Sequence, residues 1–436
     1  MTTKLQPYQN YNPVAYDYVT HLPDGWQLLP NIAIFEERIE RGHDNEALLS
    51  VTIGKGVIKQ SDLDKKDSST LDKSKYLLVN PNDLVYSMRF RQGASGYSDY
   101  RGIVSPACTV LKHKKGMNLN SRYFHYMFRS GFYKNYVERY AYGIADGQMP
   151  LRYFDFKRMY SIVPPLEDQN SIVDYLDKKN SEIDKFIRNK EKLIVLLDEE
   201  KQSILRRLVT VGVINNEELK PSNVSWIGNI PTSWTIRKIK HLGKFVSGFS
   251  FDSNDFIDDG IKVIKISNIQ PMRLLWDDLS FVKETLYNRY KQFRVVKGDL
   301  VFALTRPIIK GGIKVALVDT EEKLLINQRN AIYKPSNKIL IDWLYFVILS
   351  QDFITEFDNK IDKTGQQPNI STNEISNIYI PYPSLAMQKI IINEIKKHFA
   401  DIDLLIEKAQ QEIASIKEYR EALITDLVTG KRSIPK

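Results

Sequence analysis

Apolar side chains recur at helical spacing along two long, otherwise polar segments of the chain. In both segments Ile or Leu recurs at steps of three, four or seven residues. Such spacing is typical of a helix seam that packs against a partner helix. Each segment is therefore predicted to form one long helix, and the two seams to bury each other. The seam positions are Ile172, Leu176, Ile183, Ile187, Ile194, Leu197, Ile204, Leu208, Ile391, Ile395, Ile402, Ile406, Ile413, Ile416, Leu423 and Leu427.

Both segments also have the ends that helices prefer. Each begins just after a proline cluster, at 164–165 or 381–383, and stops at Gly212 or Gly430. A predicted length of about 39 residues corresponds to ~58 Å of helix. A whole globular segment lies between the two helices, and the ends of a domain often lie close together. The second helix should then run back along the first, as an antiparallel coiled coil with a globular domain at each end.

The two helices close the two copies of a tandem repeat of roughly 210 residues. Within each copy, β-like apolar runs alternate with helix-like stretches such as 121–140 and 341–357, which predicts mixed α/β domains. The matching segments are LPDGW and IPTSW, NDLVYSM and GDLVFAL, GQMP and GQQP, and IVPPLEDQ and the stretch from Tyr379 to Gln388. The predicted boundaries are 1–165 for the first domain, 166–212 for the first helix, 213–227 for a linker, 228–385 for the second domain, 386–430 for the second helix and 431–436 for a C-terminal tail.

Charge and composition narrow the function classes. The chain of 436 residues carries a formal charge of +9, compatible with a nucleic-acid partner but also with an ordinary basic protein. The single cysteine, Cys108, excludes a disulfide framework, and the six histidines form no HxH or HExxH pair, so no metal site is predicted. No apolar run approaches the ~18 residues of a membrane helix and no signal peptide is visible. A soluble protein of a reducing compartment is expected.

Motifs that could carry catalysis have simpler interpretations. The glycines at 54–56 are followed by another β-like run, which favours a hairpin over a cofactor loop. Residues 80–83 only faintly resemble the Asn-Pro-Pro-aromatic motif of amino-methyltransferases and predict a turn. Residues 310–312 do not form a P-loop, and the charges at 198–201 lie on a predicted solvated helix face. No catalytic residue is predicted.

Polar and basic loops occur at equivalent places in both copies. Arg, Lys, Gln and Asn are the side chains that pair with base edges in DNA, so these loops are predicted to contact DNA, although any single residue could be an ordinary solvated one. The candidates are Ser87, Arg89, Arg91, Gln92, Tyr142, Gln148 and Arg152 in the first copy, and Thr305, Arg306, Lys310, Lys314, Lys363, Thr364, Gln366, Gln367 and Asn369 in the second.

Taken together, the order of these motifs, the linker KPSNVSWIGNIPTSW and the ending LITDLVTGKR resemble the DNA-specificity subunit of type I restriction–modification systems. The resemblance covers nearly the whole chain. It implies two target-recognition domains that each bind half of a split site on double-stranded DNA, with the two helices as spacer and docking surface. It also implies modification (methyltransferase) subunits, two of them, and restriction (endonuclease and translocase) subunits as partners in the cytoplasm of a bacterium or archaeon.

The same resemblance implies that this chain is not itself an enzyme and binds no cofactor. Adenine-N6 methylation with S-adenosylmethionine, and cleavage with ATP and Mg, would belong to the partner subunits. Two alternatives remain open: a fused methyltransferase–specificity enzyme or nuclease, and a purely structural coiled-coil scaffold. The first lacks the motifs it needs, and the paired Arg- and Gln-bearing loops argue against the second.

Overall fold

The computed structural model describes residues 5–16, 18–63, 72–140, 151–214 and 217–434. The chain divides into two compact units. Unit 1 comprises Met1–Glu191 and Gln410–Lys436, and unit 2 comprises Lys192–Ala409. Each unit therefore contains one globular repeat together with part of both long helices.

Unit 1 builds its globular repeat from twelve short strands and four short helices in the described residues. In chain order these are β1 (Tyr11–Pro13), β2 (His21–Pro23), β3 (Gln27–Pro30), α1 (Asn31–Ile34), β4 (Phe35–Glu37), β5 (Leu49–Thr52), β6 (Gly56–Lys59), β7 (Leu77–Val79), β8 (Leu84–Tyr86), β9 (Ser95–Tyr97), β10 (Gly102–Val104), β11 (Thr109–His113), α2 (Ser121–Arg129), α3 (Gly131–Val137), α4 (Tyr153–Phe156) and β12 (Tyr160–Val163). The predicted hairpin at residues 54–56 is confirmed, because β5 and β6 pair antiparallel around it.

The second repeat begins after the first long helix, α5 (Leu166–Thr210), and ends before the other, α10 (Leu385–Val428). Its elements are β13 (Leu219–Pro221), β14 (Asn229–Pro231), β15 (Thr235–Lys238), β16 (Gly243–Ser247), β17 (Phe256–Ile257), β18 (Ile261–Ile264), β19 (Ile269–Gln270), β20 (Arg273–Leu274), β21 (Phe281–Val282), α6 (Glu284–Arg289), β22 (Arg294–Val295), β23 (Leu300–Ala303), β24 (Ile308–Ile309), β25 (Gly312–Ile313), β26 (Val315–Leu317), β27 (Leu324–Ile326), β28 (Asn330–Pro335), α7 (Ile341–Leu349), α8 (Gln351–Asp358), α9 (Thr372–Ser376) and β29 (Tyr379–Tyr382).

Both repeats contain the same four-stranded antiparallel sheet. Its order is β4-β11-β8-β9 in unit 1 and β16-β28-β23-β26 in unit 2. Each repeat also pairs the strand after its LPDGW-type motif with the strand that leads into a long helix, as β3 with β12 and β15 with β29. Unit 2 adds a five-stranded sheet in which β18 and β27 run parallel. The predicted tandem repeat of mixed α/β domains is confirmed.

In the DLV segment that both repeats share, the aspartate stabilises the turn before the strand. The carboxylate of Asp83 accepts from the backbone N–H of Asn80 at 2.7 Å, and that of Asp299 accepts from Val296 at 3.0 Å. A cationic side chain neutralises each carboxylate, Arg38 in unit 1 and Lys334 in unit 2. Because both aspartates are buried and satisfied, this part of the motif is structural.

A serine interrupts each predicted helix over 121–140 and 341–357. Ser130 separates α2 from α3, and Ser350 separates α7 from α8. Both serines are buried, and each hydroxyl donates to the carbonyl three residues earlier, Met127 at 2.6 Å and Val347 at 2.7 Å. A side-chain hydroxyl that competes for backbone groups in this way favours a break in the helix.

The two long helices span 45 and 44 residues, somewhat more than the predicted length. Within each unit they run antiparallel. In unit 1, Asp184 pairs with Arg420 and Lys190 with Glu412. In unit 2, Lys201 pairs with Asp403 at 2.6 Å, and a Cβ added at Gly212, just after α5, would lie 3.8 Å from Ile391. In both units, later residues of the first helix therefore lie beside earlier residues of α10.

The structure places every predicted seam residue on the shielded side of its helix. Ten are buried and the other six are half-buried. The buried ones are Ile172, Leu176, Ile183, Leu197, Leu208, Ile391, Ile395, Ile402, Leu423 and Leu427. The half-buried ones are Ile187, Ile194, Ile204, Ile406, Ile413 and Ile416.

Candidate nucleic-acid interface

The two candidate loops of the second repeat are joined by hydrogen bonds. The chain leaves β23 at Ala303, and the buried hydroxyl of Thr305 donates to the side-chain oxygen of Asn369 at 2.6 Å. The backbone N–H of Arg306 donates to the carbonyl of Pro368 at 2.8 Å. The structure thus brings together two segments that lie more than 60 residues apart in the sequence.

Other candidates of the second repeat are exposed around this junction. Lys310 and Gln366 are exposed and Gln367 is half-buried. Lys363 forms an ion pair with Asp358 at 2.7 Å. These side chains belong to the two joined loops, and Lys310, Lys363 and Gln366 are open to solvent.

Thr364 has a local role within the same loop. Its backbone N–H and its hydroxyl both donate to the carboxylate of Asp362, at 2.9 and 2.6 Å. These two hydrogen bonds lower the pKa of the Asp362 carboxyl. Since it shapes the turn in this way, Thr364 contributes to the conformation of the loop.

A basic cavity of about 580 Å³ lies beside the junction. Its walls include the apolar side chains of Ile266 and Ile309, and the described residues that line it include no carboxylate. The polar side chains that line it are Lys265, Ser267, Gln270, Arg306, Lys314, Asn327, Gln328 and Arg329. The cavity therefore presents four cationic side chains together with polar groups that can both donate and accept hydrogen bonds.

Strand pairing explains why these residues meet. β18 and β27 are parallel, so their carboxyl ends reach the same edge, and the N–H of Asn327 donates to the carbonyl of Ile264 at 3.0 Å. β23 and β28 are antiparallel, so the end of one lies beside the start of the other. Arg306 and Arg329 accordingly face the same space although they belong to different loops.

Lys314 is the buried cation of this cavity. Its ammonium group donates to the carbonyl of Ile266. Burial, and secondarily the neighbouring Arg306 guanidinium, lower the pKa of Lys314 below its ordinary value. A lysine held in this way contributes charge to the cavity wall rather than a mobile surface contact.

Sequence reasoning identified Arg306 and Lys314 but missed the other lining residues, among them Gln270, Gln328 and Arg329. The signal that could have found them is the abrupt change from an apolar strand to polar residues, as at Ile326 to Asn327. Because β27 and β18 lie side by side only in the folded sheet, that signal alone does not assign the residues to one cavity.

The first repeat presents a different surface at the equivalent turn. The Ser87 hydroxyl accepts from the backbone N–H of Arg89 at 3.3 Å, and Arg91 donates to Glu138 at 2.6 Å. Arg89, Arg91 and Gln92 are exposed. These three side chains form one exposed polar cluster after β8.

The second candidate loop of this repeat is only partly described. Tyr142 and Gln148 lie outside the described residues. Arg152 is exposed and lies just before α4. The exposed ring of Phe154 in that short helix lies 4.9 Å from the ammonium group of Lys157 and 4.3 Å from the guanidinium group of Arg158.

The described parts of the chain lack two features that other function classes need. No group of three or more His, Cys, Asp or Glu side chains there could hold a metal ion. None of the helices there is long and apolar enough to cross a membrane.

Comparison with known proteins gives concordant matches. A family model described as the type I restriction modification DNA specificity domain matches residues 43–194 and 231–415. The MjaVIII type I restriction enzyme specificity subunit of Methanocaldococcus jannaschii is 30% identical over 363 residues, which cover 82% of this chain and 81% of the relative. The EcoBI type I restriction enzyme specificity subunit of Escherichia coli is 20% identical over 278 residues, covering 62% and 57%.

Solved structures agree at the level of the fold. A chain from a study of complex assembly and conformational transition of the type I R-M system superposes with a TM-score of 0.71 at 13% identity, covering 93% of this chain and 98% of that one. The HsdS subunit from Thermoanaerobacter tengcongensis superposes with a TM-score of 0.54 at 14% identity, covering 96% and 99%. At these identities the likeness concerns the fold alone.

Proposed function

Because the chain belongs to the type I restriction–modification DNA specificity family, whose model matches both repeats, we propose that it recognises a bipartite DNA site for such a system. Each repeat binds one half-site, and the chain directs partner subunits to the DNA between and around the halves. It is a specificity subunit and supplies no catalytic residues of its own. Two recognition domains on one chain are the single-chain counterpart of a dimer that binds two half-sites.

The observation that carries this proposal is the basic cavity of unit 2 beside two hydrogen-bonded loops. Its exposed Arg306 and Arg329, with the glutamines nearby, are side chains that pair with base edges in the major groove. The corresponding turn of unit 1 carries Arg89, Arg91 and Gln92 on its surface. Equivalent positions with different side chains suit two domains that recognise two different sequences.

The partners in this proposal are modification and restriction subunits. S-adenosylmethionine, ATP and Mg bind to those subunits and not to this chain. The exposed apolar side chains of Leu193, Val195 and Leu196 on α5, and of Leu404 and Leu405 on α10, support docking of a partner along the helices of unit 2. Because each copy of the repeat contributes one long helix, we assign one modification subunit to each copy.

The proposed site of action is the cytoplasm of a bacterium or archaeon. The DNA of such a cell lies in that compartment, and relatives come from Methanocaldococcus jannaschii and Escherichia coli. A charge of +9 favours association with that DNA.

Methylation-aware sequencing tests the proposal directly. Cells that carry the chain together with its modification subunit should methylate a split sequence, and cells that lack only this chain should not. The purified chain alone should transfer no labelled methyl group to DNA. Methyl transfer by the pure chain, or methylation that does not depend on the chain, would contradict the assignment.

Because each repeat should bind its own half-site, substitutions in one repeat serve as the control for substitutions in the other. Replacing Arg306 and Gln366 together by alanine should relax one half of the methylated sequence, because both residues belong to unit 2. Replacing Arg89 and Gln92 by alanine should affect only the other half. If either pair of substitutions altered both halves together, the repeats would not act as independent recognition domains.

A further inference from the structure

Two of the five described non-glycine residues with a left-handed backbone line the basic cavity. Arg306 has φ of 46° and Arg329 has φ of 63°. This conformation is unfavourable for residues with a side chain and persists only where the surrounding structure imposes it. Strain of this kind often clusters at ligand sites.

Hydrogen bonds impose the conformation here while leaving the side chains available. The N–H of Arg306 donates to Pro368, and the carbonyl of Arg329 accepts from Leu304 at 2.8 Å. The side chains of Arg306, Gln328 and Arg329 make no hydrogen bond or ion pair with the rest of the described chain, and all three are exposed. Two guanidinium groups are thus held at one cavity with their donors unused.

The chemistry of the cavity selects the group that it would bind. Its lysines and arginines present only donors, so a group that pairs with them must present acceptors. On double-stranded DNA two groups do so, the phosphate oxygens and the guanine edge, which offers O6 and N7 side by side in the major groove. An adenine edge offers one acceptor and one donor, which suits two arginines less well.

The shape of the cavity favours the guanine edge over a phosphate. Apolar walls from Ile266 and Ile309 suit the edge of a base pair, whereas a phosphate is fully polar. The planar fork of arginine matches two adjacent acceptors, and a fixed backbone limits the entropy lost when that pairing forms.

We propose that the half-site bound by unit 2 contains guanine, recognised in the major groove by Arg306 and Arg329. This inference rests on the proposed function and names the base class that the site of unit 2 selects. Arg306 and Arg329 are the specificity-determining residues.

The first experiment compares methylated sequences in cells that carry the modification subunit with the wild-type chain, Arg306→Ala, Arg329→Ala or the control Arg289→Ala. Arg289 is an exposed arginine of the same unit that does not line the cavity. Each cavity variant should tolerate other bases at a guanine of one half-site, with discrimination reduced about ten- to a hundredfold. The other half-site, and both halves for Arg289→Ala, should stay unchanged.

The second experiment uses duplexes that carry the wild-type target. Replacing the affected guanine by 7-deazaguanine removes N7 and should weaken binding of the wild-type complex about tenfold, with no further loss for the matching alanine variant. Arg306→Lys and Arg329→Lys keep the charge without the planar fork, so they should lose discrimination while retaining the salt dependence of binding. Methylphosphonate substitution at nearby phosphates tests whether the arginines bind phosphate oxygens instead of the guanine edge.

Several outcomes would overturn the inference. One is equal weakening on all sequences with a shallower salt dependence and sensitivity to methylphosphonate, which is the behaviour of a phosphate contact. Another is relaxed selection at a position that is not guanine, or no change while the variants keep the wild-type melting temperature. A different result would contradict the proposed function itself: the wild-type and Arg289→Ala chains would then direct no bipartite methylation at all.

Discussion

At the residue scale, two buried glutamines tie the start of each long helix to its own repeat. The side-chain amide of Gln169 donates to the carbonyl of Pro164 at 2.8 Å, and its oxygen accepts from the backbone N–H of Asn120 at 2.9 Å. Gln388 makes the same pair of bonds, to Pro383 at 3.0 Å and from Leu340 at 2.9 Å. Because both side chains are fully buried, each one satisfies backbone groups that water cannot reach.

The buried imidazole of His125 makes the stability of unit 1 sensitive to pH. Its Nδ1 atom is shielded from solvent and has no hydrogen-bond partner in the described structure. Burial, followed by the nearby Arg129 and Arg122, lowers the pKa of His125 from 6.5 to about 3. Below about pH 6.5 the imidazole of the unfolded chain binds a proton, whereas that of the folded chain stays neutral. The free energy of unfolding should therefore fall as pH drops below 6.5, by up to ~1.4 kcal/mol per pH unit.

Urea unfolding of unit 1 between pH 7 and pH 5 measures this effect. His125→Asn, which cannot take up a proton, should show a flatter dependence on pH than the wild-type chain. The exposed His21→Gln is the matched control and should follow the wild type. Equal slopes for His125→Asn and the wild type would show that the imidazole is protonated within the folded protein.

At the scale of elements, each long helix ends against the tryptophan of a repeat. Gly212, after α5, has φ of 82°, and an added Cβ would lie 2.9 Å from Trp234. Gly430, after α10, has φ of 72°, and an added Cβ would lie 2.6 Å from Pro23 and 3.0 Å from Trp26. The glycines therefore serve two purposes: they end the helix in a left-handed conformation and admit the neighbouring ring system.

Substitution of Gly212 by alanine tests whether the left-handed conformation and the space for the Trp234 ring both matter for stability. Gly212→Ala adds left-handed strain of ~1–2 kcal/mol and also a clash with the Trp234 ring, so it should destabilise unit 2 by more than strain alone. Gly228→Ala provides the comparison, because Gly228 has φ of 71° and an added Cβ would have no atom within 4 Å. Chemical denaturation of both variants gives the difference. Equal losses would mean that the Trp234 ring moves aside at little cost.

At the scale of the whole molecule, each unit is completed by a helix end from the other copy of the repeat. The last turns of α10 supply Leu423, Ile424, Leu427 and Val428 to the core of unit 1. The hydroxyl of Tyr123 donates to the carbonyl of Val428 at 3.0 Å. Unit 1 is therefore discontinuous in sequence, whereas unit 2 is a single segment.

Truncation after Ala409 should consequently unfold unit 1 and spare unit 2. The four lost side chains contribute ~1.5–3 kcal/mol each, a sum comparable with the ~5–15 kcal/mol that stabilises a typical domain. Hydrogen exchange followed by mass spectrometry should show loss of protection in β3, β8 and α2, with β23 and β28 still protected. A chain truncated after Gly430 keeps these contacts and should retain protection in both units. Protection of unit 1 in the shorter chain would refute this view of its core.

Much of the molecule was decided by local sequence. Helical periodicity in α5 and α10 is set by neighbours three and four residues apart, so the seam positions, the proline starts and the glycine ends were visible without a structure. The tandem repeat and the mixed α/β class followed from matched segments and alternating apolar runs. These features depend on residues close together in the chain, which a sequence displays directly.

Only the tertiary structure decided which side chains share a site. Arg306, Gln270 and Arg329 meet because β18 pairs with β27 and β23 with β28, and those strands are separated by tens of residues. The same packing buries Lys314, whose position in a basic loop predicted a surface contact, and it breaks two apparently continuous helices at Ser130 and Ser350. Strand order and burial depend on contacts between segments that are distant in the sequence. The periodicity of apolar residues along the chain does not show which distant segments come into contact.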